Sequence, residues 1–321
     1  MAAVYETIII GGGIAGLQAA IQLGRMGHRI LVVDSEAGRS VLCKSYHNVI
    51  GWPDGISGQE LRRLGRLQAA RYGAELLKGE ALSVNKEKEL FAVSVRDEAA
   101  ANEKTLYRSH TLLIATGVMD RFPQLTGLVE CLGLSIYVCP DCDGYEISAK
   151  HTIVLGSGDT GARMALTLSY FTDKLVYVNH EQHTVDPDLM LRLEEKRIEC
   201  IGEPIGRILT APGKEGVFQG VKLASGRLVP GEKAFIAFGG NEVRSSIVAG
   251  LGVQLYENKH IVTDPRSKMT NIHGVWAAGD IGVHSEQLTI AMGEGSQAAI
   301  WIHKELLRMA AGRVEAEPVR S

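Results

Sequence analysis

Short continuous apolar runs, each ending in a glycine-rich turn and followed by an amphipathic stretch, set the pattern of this chain. Thr7 to Ile10 is the first such run and reads as a parallel strand buried on both faces. It enters Gly11-Gly12-Gly13-Ile14-Ala15-Gly16, and a helical pattern follows with Leu17, Ile21 and Leu23 among its apolar positions. His28 to Val33 reads as the next strand and ends in Asp34. Residues 44–58 are polar, aromatic and turn-rich, a long loop of the kind that usually carries function. Gln59 to Ala74 has a helical stripe of Leu61, Leu64 and Leu67, with Arg62, Arg63, Arg66 and Arg71 expected on a solvated face. Leu90 to Val95 and Lys104 to Arg108 alternate like hairpin strands, joined by the charged turn from Asp97 to Lys104. Thr111 to Ile114 reads as another apolar strand, leading into Ala115-Thr116-Gly117, where small residues let something flat approach the backbone.

The opening pattern then repeats. His151 to Leu155 reads as a strand, Gly156-Ser157-Gly158-Asp159-Thr160-Gly161 as a second glycine turn, Ala162 to Tyr170 as a helix and Leu175 to Val178 as the next strand. Asp188 to Arg197 reads as a charged amphipathic helix, and Phe218 to Leu223 and Lys233 to Phe238 as strands. Gly239-Gly240-Asn241 has the look of a return crossing between domains. Ile272 to Asp280 is a strand running into a small-residue turn and an acid. The helix expected from Glu286 to Arg308 holds Gly293 and Gly295, placed to let backbone approach a ligand. Two such strand–turn–helix–strand units predict an α/β chain with two Rossmann-like, doubly wound folds.

Composition narrows the classes. The 321 residues suffice for two domains, and 45% hydrophobic content suffices for their cores. Thirty-seven glycines against 9 prolines suit many tight strand-to-helix turns rather than disorder. A net charge of −3 without a basic stripe argues against nucleic acid as a partner. No apolar run approaches the ~20 residues of a membrane span, and the first residues run straight into a strand rather than a signal peptide. Five cysteines in this length do not make a disulfide scaffold, so a reducing cytoplasm is the expected setting.

In that setting Cys139-Pro140-Asp141-Cys142-Asp143-Gly144 stands out, because two cysteines two residues apart can close and reopen a disulfide. Zinc wants four soft ligands, and Cys43, Cys131 and Cys200 are scattered singly with no second pair to complete a set. Two inert core cysteines are the other alternative, and the flanking nucleotide folds favour the redox reading. In the first fold, Gly11 permits the tight turn, Gly13 lets backbone approach a pyrophosphate on the helix dipole, and Gly16 lets helix and strand pack closely. Asp34 can accept from a ribose hydroxyl, and the motif alone does not choose between FAD and NAD. After the second fold, Asn179-His180-Glu181-Gln182 holds no arginine to meet a 2′-phosphate, and Glu181 would repel one. NADPH is therefore disfavoured, while NADH on Asn179 or Glu181, a second FAD, or an empty remnant stay open. His180 reads as a partly exposed residue at a strand end.

Taken together, Gly11 to Gly16 with Asp34, Ala115 to Gly117, Cys139 to Gly144, Gly156 to Gly161 and Gly274 to Asp280 with Gln287 to Gly295 resemble the thioredoxin reductase-like family of flavoprotein disulfide reductases, over nearly the whole chain. The resemblance implies a discontinuous FAD domain over residues 1–117 and 243–321, and an inserted domain over 118–242 that carries the redox pair and the second nucleotide fold. It assigns Gly11, Gly13, Ala15, Gly16, Asp34, Asn48, Ala115, Thr116, Gly117, Gly279, Asp280, Gln287 and Leu288 to FAD. Asp280 would hold the ribityl chain, and Gln287 would lie near the isoalloxazine. Gly156, Gly158, Asp159, Thr160, Gly161, Asn179 and His180 would form the second nucleotide site. Cys142 would face the flavin, Cys139 would attack the substrate disulfide, and Asp143 would manage protons. The family forms homodimers and rotates one domain against the other. Glu181 and Gln182 at the family's arginine positions, Gly161 where alanine is usual, and Pro-Asp between the cysteines all depart from its NADPH-dependent members.

The expected function is thus an FAD-dependent dithiol–disulfide oxidoreductase acting on a protein or small-molecule disulfide, thioredoxin-like or otherwise. Its electron partner would be ferredoxin, a second flavin or oxygen rather than NADPH. The rival readings are an NAD(P)H-dependent thioredoxin reductase and a flavin-binding redox sensor.

Overall fold

Alternate residues of the opening strands bury on opposite faces of one sheet, which is why their sequences are apolar without a polar alternation. In a computed structural model, which describes residues 4–98, 103–282 and 286–316, Ile8, Ile10, Leu31, Val33, Leu112 and Ile114 pack on one side. Ile9, Ile30, Val32 and Leu113 pack on the other, against Ala15, Ala19, Ala20 and the C-terminal helix. The strands Val4–Ile10, Ile30–Asp34, Lys104–Ile114 and Val275–Ala277, with the start of Glu75–Glu87, make a parallel sheet. The rest of Glu75–Glu87 and the start of Lys104–Ile114 pair antiparallel with Leu90–Asp97 as a meander.

The chain divides into two compact units, Met1–Val41 with Gln59–Met119 and Val243–Ser321, and Leu42–Gly58 with Asp120–Glu242. The loop 42–58, expected with the FAD domain, groups by its contacts with the second unit. The second unit has its own five-stranded parallel sheet, in the spatial order Glu199–Ile201, Leu175–Asn179, Thr152–Gly156, Lys233–Ala237, Ile136–Tyr137. A three-stranded antiparallel sheet of Ile205–Thr210, Phe218–Leu223 and Leu228–Pro230 accompanies it. Ile153, Leu155, Val178 and Ile236 bury on one face, and Val154, Tyr177, Phe235 and Ala237 on the other.

Several expectations need correction. Thr111 to Ile114 is not a separate strand but the end of Lys104–Ile114, which leaves the meander to join the parallel sheet. The strand Glu75–Glu87 was not expected; it is mostly exposed and reads ELLKGEALSVNKE, without the alternation that marks a half-buried strand. The centre of the Asp97–Lys104 turn and the first three residues lie outside the described residues. Gly295 does not open onto a ligand: a Cβ there would fall on the backbone of Ala15 in the opening helix Ile14–Arg25, so it lets the helix Leu288–Ala316 pack closely. Among the described residues no helix is long and apolar enough to cross a membrane.

Candidate functional site

The first glycine turn is shaped by close approaches on three sides and openness on the fourth. Gly11 has φ +108°, and a Cβ on it would strike the carbonyl of Ala115. A Cβ on Gly12 would lie within 2.5 Å of the Asp34 carboxylate, and one on Gly16 would fall on the carbonyl of Gly11. Gly13, in extended backbone at φ −75°, would meet nothing within 4 Å. That open face ahead of the helix Ile14–Arg25 is the cradle a pyrophosphate needs. Ala15 is buried in this first turn.

Asp34 is engaged more heavily than its sequence suggests. Its Oδ2 accepts from Arg62 at 2.6 Å and Arg66 at 2.8 Å, and its Oδ1 accepts from the Glu36 N–H at 3.1 Å. Burial alone would raise the carboxyl, but the two guanidinium groups hold it below the usual range. Arg62 also donates to the Gly12 carbonyl at 3.2 Å and is 4% exposed. The expected solvated face is therefore corrected: Arg62 and Arg66 turn inward to Asp34, whereas Arg63 pairs with Glu60 and Arg71 is exposed. An ionised carboxylate has about four acceptor sites, so Asp34 retains capacity for one more donor.

The remaining residues assigned to FAD, Asn48 excepted, lie in the first unit. Ala115 donates its N–H to Ile10 at 2.8 Å, Thr116 Oγ1 donates to the Arg244 carbonyl at 2.7 Å, and Gly117 takes φ +66°. Gly279, at φ +81°, donates its N–H to Glu294, which pairs with the buried Lys268 at 2.7 Å. Asp280 accepts from Arg39 at 3.2 Å, and the same nitrogen of Arg39 meets Glu286 at 2.5 Å, a partnership across more than 240 positions that no local motif signals. Gln287 is half-buried and Leu288 buried at the start of the last helix. Asn48 lies in the loop 42–58 of the second unit.

Cys139 and Cys142 form a disulfide with Cα atoms 5.3 Å apart. Pro140 opens a single helical turn, Pro140–Asp143, whose cap is Cys139. That turn brings the Cys142 N–H to 3.1 Å from Cys139 Sγ. A donor on that sulfur favours its thiolate once the bond opens. Burial, then the charge of Glu146, pushes Asp143 up to about 7 despite the opposing charge of Lys233. Lys233 donates to the Tyr137 hydroxyl at 2.7 Å and the Leu134 carbonyl at 2.9 Å, and burial lowers its own pKa. Burial pushes the Cys43 thiol up to about 11, so it stays neutral and does not compete as a nucleophile. Among the described residues no cluster could hold a metal ion.

The second glycine turn is closed by its own surroundings. The Gly158 N–H donates to Asn179 Oδ1 at 3.0 Å, and a Cβ on Gly161 would strike the Tyr177 ring. Asp159 accepts from the Asp186 N–H at 2.8 Å, and Thr160 sits in the first turn of the helix Gly158–Leu168. Gly156, the last residue of its strand, faces Asn179 in the register. His180 is half-buried, its Nδ1 accepts from the Ile205 N–H at 2.8 Å, and burial lowers its pKa. Glu181 is held by both terminal nitrogens of Arg121, at 2.8 and 2.9 Å, which pulls its carboxyl down to about 2. An arginine does reach this end of the fold, from sixty positions away, where no local motif could signal it.

Residues 5–295 match the family described as pyridine nucleotide-disulphide oxidoreductase. A thioredoxin reductase of Treponema pallidum is 28% identical over 303 residues, covering 92% of this chain and 95% of its own length. The crystal structure of HlmI superposes with a TM-score of 0.84 at 27% identity, over 98% of each chain. A thioredoxin reductase of Giardia duodenalis does so with a TM-score of 0.77 at 26% identity, over 95% of this chain and 99% of that one. With the paired cysteines and the two nucleotide folds in place, the chain belongs to the pyridine nucleotide-disulphide oxidoreductases and is a thioredoxin reductase-like flavoprotein disulfide oxidoreductase.

Proposed function

We propose that this enzyme moves electron pairs between FAD and a disulfide or dithiol substrate through Cys139 and Cys142. The observation that carries the reading is the Cys142 N–H on Cys139 Sγ, beside an acid that titrates near neutrality. The open turn at Gly13 and the remaining acceptor capacity of Asp34 support FAD binding in the first unit, with Gly11, Ala15, Gly16, Ala115, Thr116, Gly117, Gly279, Asp280, Gln287 and Leu288 around it. When bound, FAD supplies a two-electron carrier that resets the redox state of the pair.

In the reducing direction, the Cys139 thiolate attacks one substrate sulfur, forming a mixed disulfide and releasing the other sulfur as a thiolate. Cys142 then attacks Cys139, the Cys139–Cys142 bond re-forms, and the second substrate thiol leaves. Two electrons and the Cys142 proton pass from the pair to the substrate, and the second product sulfur takes its proton from solvent, which accepted the Cys139 proton when the thiolate formed. Asp143 delivers a proton to the leaving thiolate and accepts one from Cys142. The reverse sequence oxidises a dithiol.

The curated relatives are thioredoxin reductases, which favours a thioredoxin-like disulfide as the substrate and a pyridine nucleotide as the donor. A second reading has a partner other than a nicotinamide, such as ferredoxin, a second flavin or oxygen. It is favoured by the commitment of Arg121 to Glu181, which leaves that guanidinium unavailable to a 2′-phosphate. The test of the Cys roles is trapping. A Cys142→Ser protein treated with an aromatic disulfide should hold the aryl thiolate on Cys139 in a stable mixed disulfide, whereas Cys139→Ser should not. Equal trapping by both variants contradicts the assignment.

A further inference from the structure

We infer that the second dinucleotide fold of this chain takes no pyridine nucleotide, because its own residues 181–186 occupy the phosphate-binding face of the glycine turn. The inference rests on the dithiol–disulfide reading above and deepens it, by removing the nicotinamides from the candidate electron partners.

The chain carries its own control for this comparison. Ile10 pairs with Val33 in the first fold, and Leu155 pairs with Val178 in the second. Gly11 to Gly16 therefore correspond to Gly156 to Gly161, and Asp34 corresponds to Asn179. At the middle glycine of the first turn nothing would meet an added Cβ within 4 Å. At its counterpart, Gly158, an added Cβ would lie 3.2 Å from His183 Cβ and 3.4 Å from the Thr184 carbonyl oxygen. The two turns are also wound differently. Gly13 is extended and precedes its helix, while Gly158 takes φ +50° and already belongs to its helix.

The covering segment is pinned along its length. Ser157 Oγ shares a hydrogen bond with His183 Nδ1 at 2.9 Å. Asn179 Nδ2 donates to the His183 carbonyl at 2.7 Å, while its Oδ1 takes the Gly158 N–H. The Asp186 N–H is held by Asp159 Oδ1 at 2.8 Å. The Tyr177 hydroxyl, from beneath, donates to the Gly158 carbonyl at 2.8 Å. Polar groups that a nucleotide would recruit are thus already paired within the protein, and displacing the segment means leaving several of them unmatched.

Charge acts in the same direction. A pyrophosphate at a helix N-terminus needs positive potential, and here Asp159 stands in the first helical turn and Glu181 meets the side chain of Ser157, the cap residue. Arg121 is spent on Glu181 and on the carbonyls of Phe238 and Gly239, so it does not offer a compensating cation. Asn179, at the position of the ribose-binding acid, has both ends of its amide engaged. The exclusion extends to NADH as well as NADPH, because it acts at the pyrophosphate common to both rather than at the 2′-phosphate alone.

The test is direct titration of the oxidised holoprotein with NAD⁺ and with NADP⁺ by calorimetry, and of the same protein with NADH and NADPH under argon by flavin absorbance. The expected result is no saturable heat up to about 1 mM, the upper end of ordinary enzyme affinities, and no bleaching of the flavin. Saturable binding of either nucleotide in the micromolar range, or bleaching within the mixing time, overturns the inference. Running the calorimetry on Cys142→Ser as well keeps this result apart from the redox reading, since nucleotide binding does not need the disulfide whereas dithiol–disulfide turnover does.

Discussion

At the scale of single residues, the chemistry turns on Asp143, the last residue of the helical turn Pro140–Asp143, whose carboxyl is pushed up to about 7 by burial and by the charge of Glu146. The folded carboxyl keeps its proton up to about pH 7, whereas an unfolded aspartic acid releases it at about pH 4. The native state therefore holds the extra proton between those values, and stability falls as pH rises through that window. Asp143→Asn should remove that slope in denaturant melts taken across the window. The same variant should slow thiol–disulfide exchange by about 10²-fold, the lower range for a positioned acid–base group, and should erase the inflection near neutrality in its pH profile. An unchanged profile would show that the proton is handled elsewhere. Lys233 opposes the shift, so Lys233→Met should move the inflection to higher pH while leaving the disulfide intact.

At the scale of elements, the glycine turns, their helices and the strands on either side were legible because each is encoded by contiguous residues. The first fold's turn from Gly11 to Gly16 and its closing Asp34 appear where the pattern puts them. The partners of that aspartate were not legible. Arg62 and Arg66, one helical turn apart, face Asp34 across a separation of about thirty residues, and a charged stripe in sequence looks the same whether water or a carboxylate receives it. Arg62 and Asp34 are little exposed, their side chains at 5% and 15%, so losing Arg62 leaves Asp34 with Arg66 as its remaining guanidinium partner and the Gly12 carbonyl without its arginine donor. Arg62→Ala should destabilise the first unit by about 1.5–3 kcal/mol, the range for a lost hydrogen bond to a charged group, and weaken flavin retention on dilution. Arg63→Ala, on the exposed side of the same helix, should change neither measurably. Equal losses in both variants would mean that the inward arginine has no special part. The strand Glu75–Glu87 escaped for a different reason: its side chains are largely exposed, so it owes its place to backbone pairing with Leu90–Asp97 rather than to a hydrophobic pattern.

At the scale of the whole molecule, one chain builds the same strand–turn–helix architecture twice, with its two glycine turns differently surrounded. Each unit has a parallel sheet flanked by an antiparallel meander, and each places a glycine turn at the end of its central strand. The first turn is open at Gly13; the second is covered at Gly158 by His183 and Thr184. The sequence foreshadowed a difference through the missing arginine after Val178, the acid at Glu181 and the glycine at Gly161, but not its structural form. The arginine that reaches Glu181, and the bonds that fasten residues 183–186, join positions too far apart or too ordinary in type to read in advance. The cysteine pair and its neighbouring acid, by contrast, were legible as a unit, because Cys139, Cys142 and Asp143 fall within one helical turn and its cap.

The central claim is that electrons pass between the flavin and a dithiol by way of Cys139 and Cys142. It is tested most directly by anaerobic titration of the holoprotein with a dithiol, following the flavin absorbance of wild type and Cys142→Ser side by side. The account predicts stoichiometric bleaching of the wild type and none of the variant, with dithionite bleaching both. Bleaching of Cys142→Ser by the dithiol at the wild-type rate would contradict it.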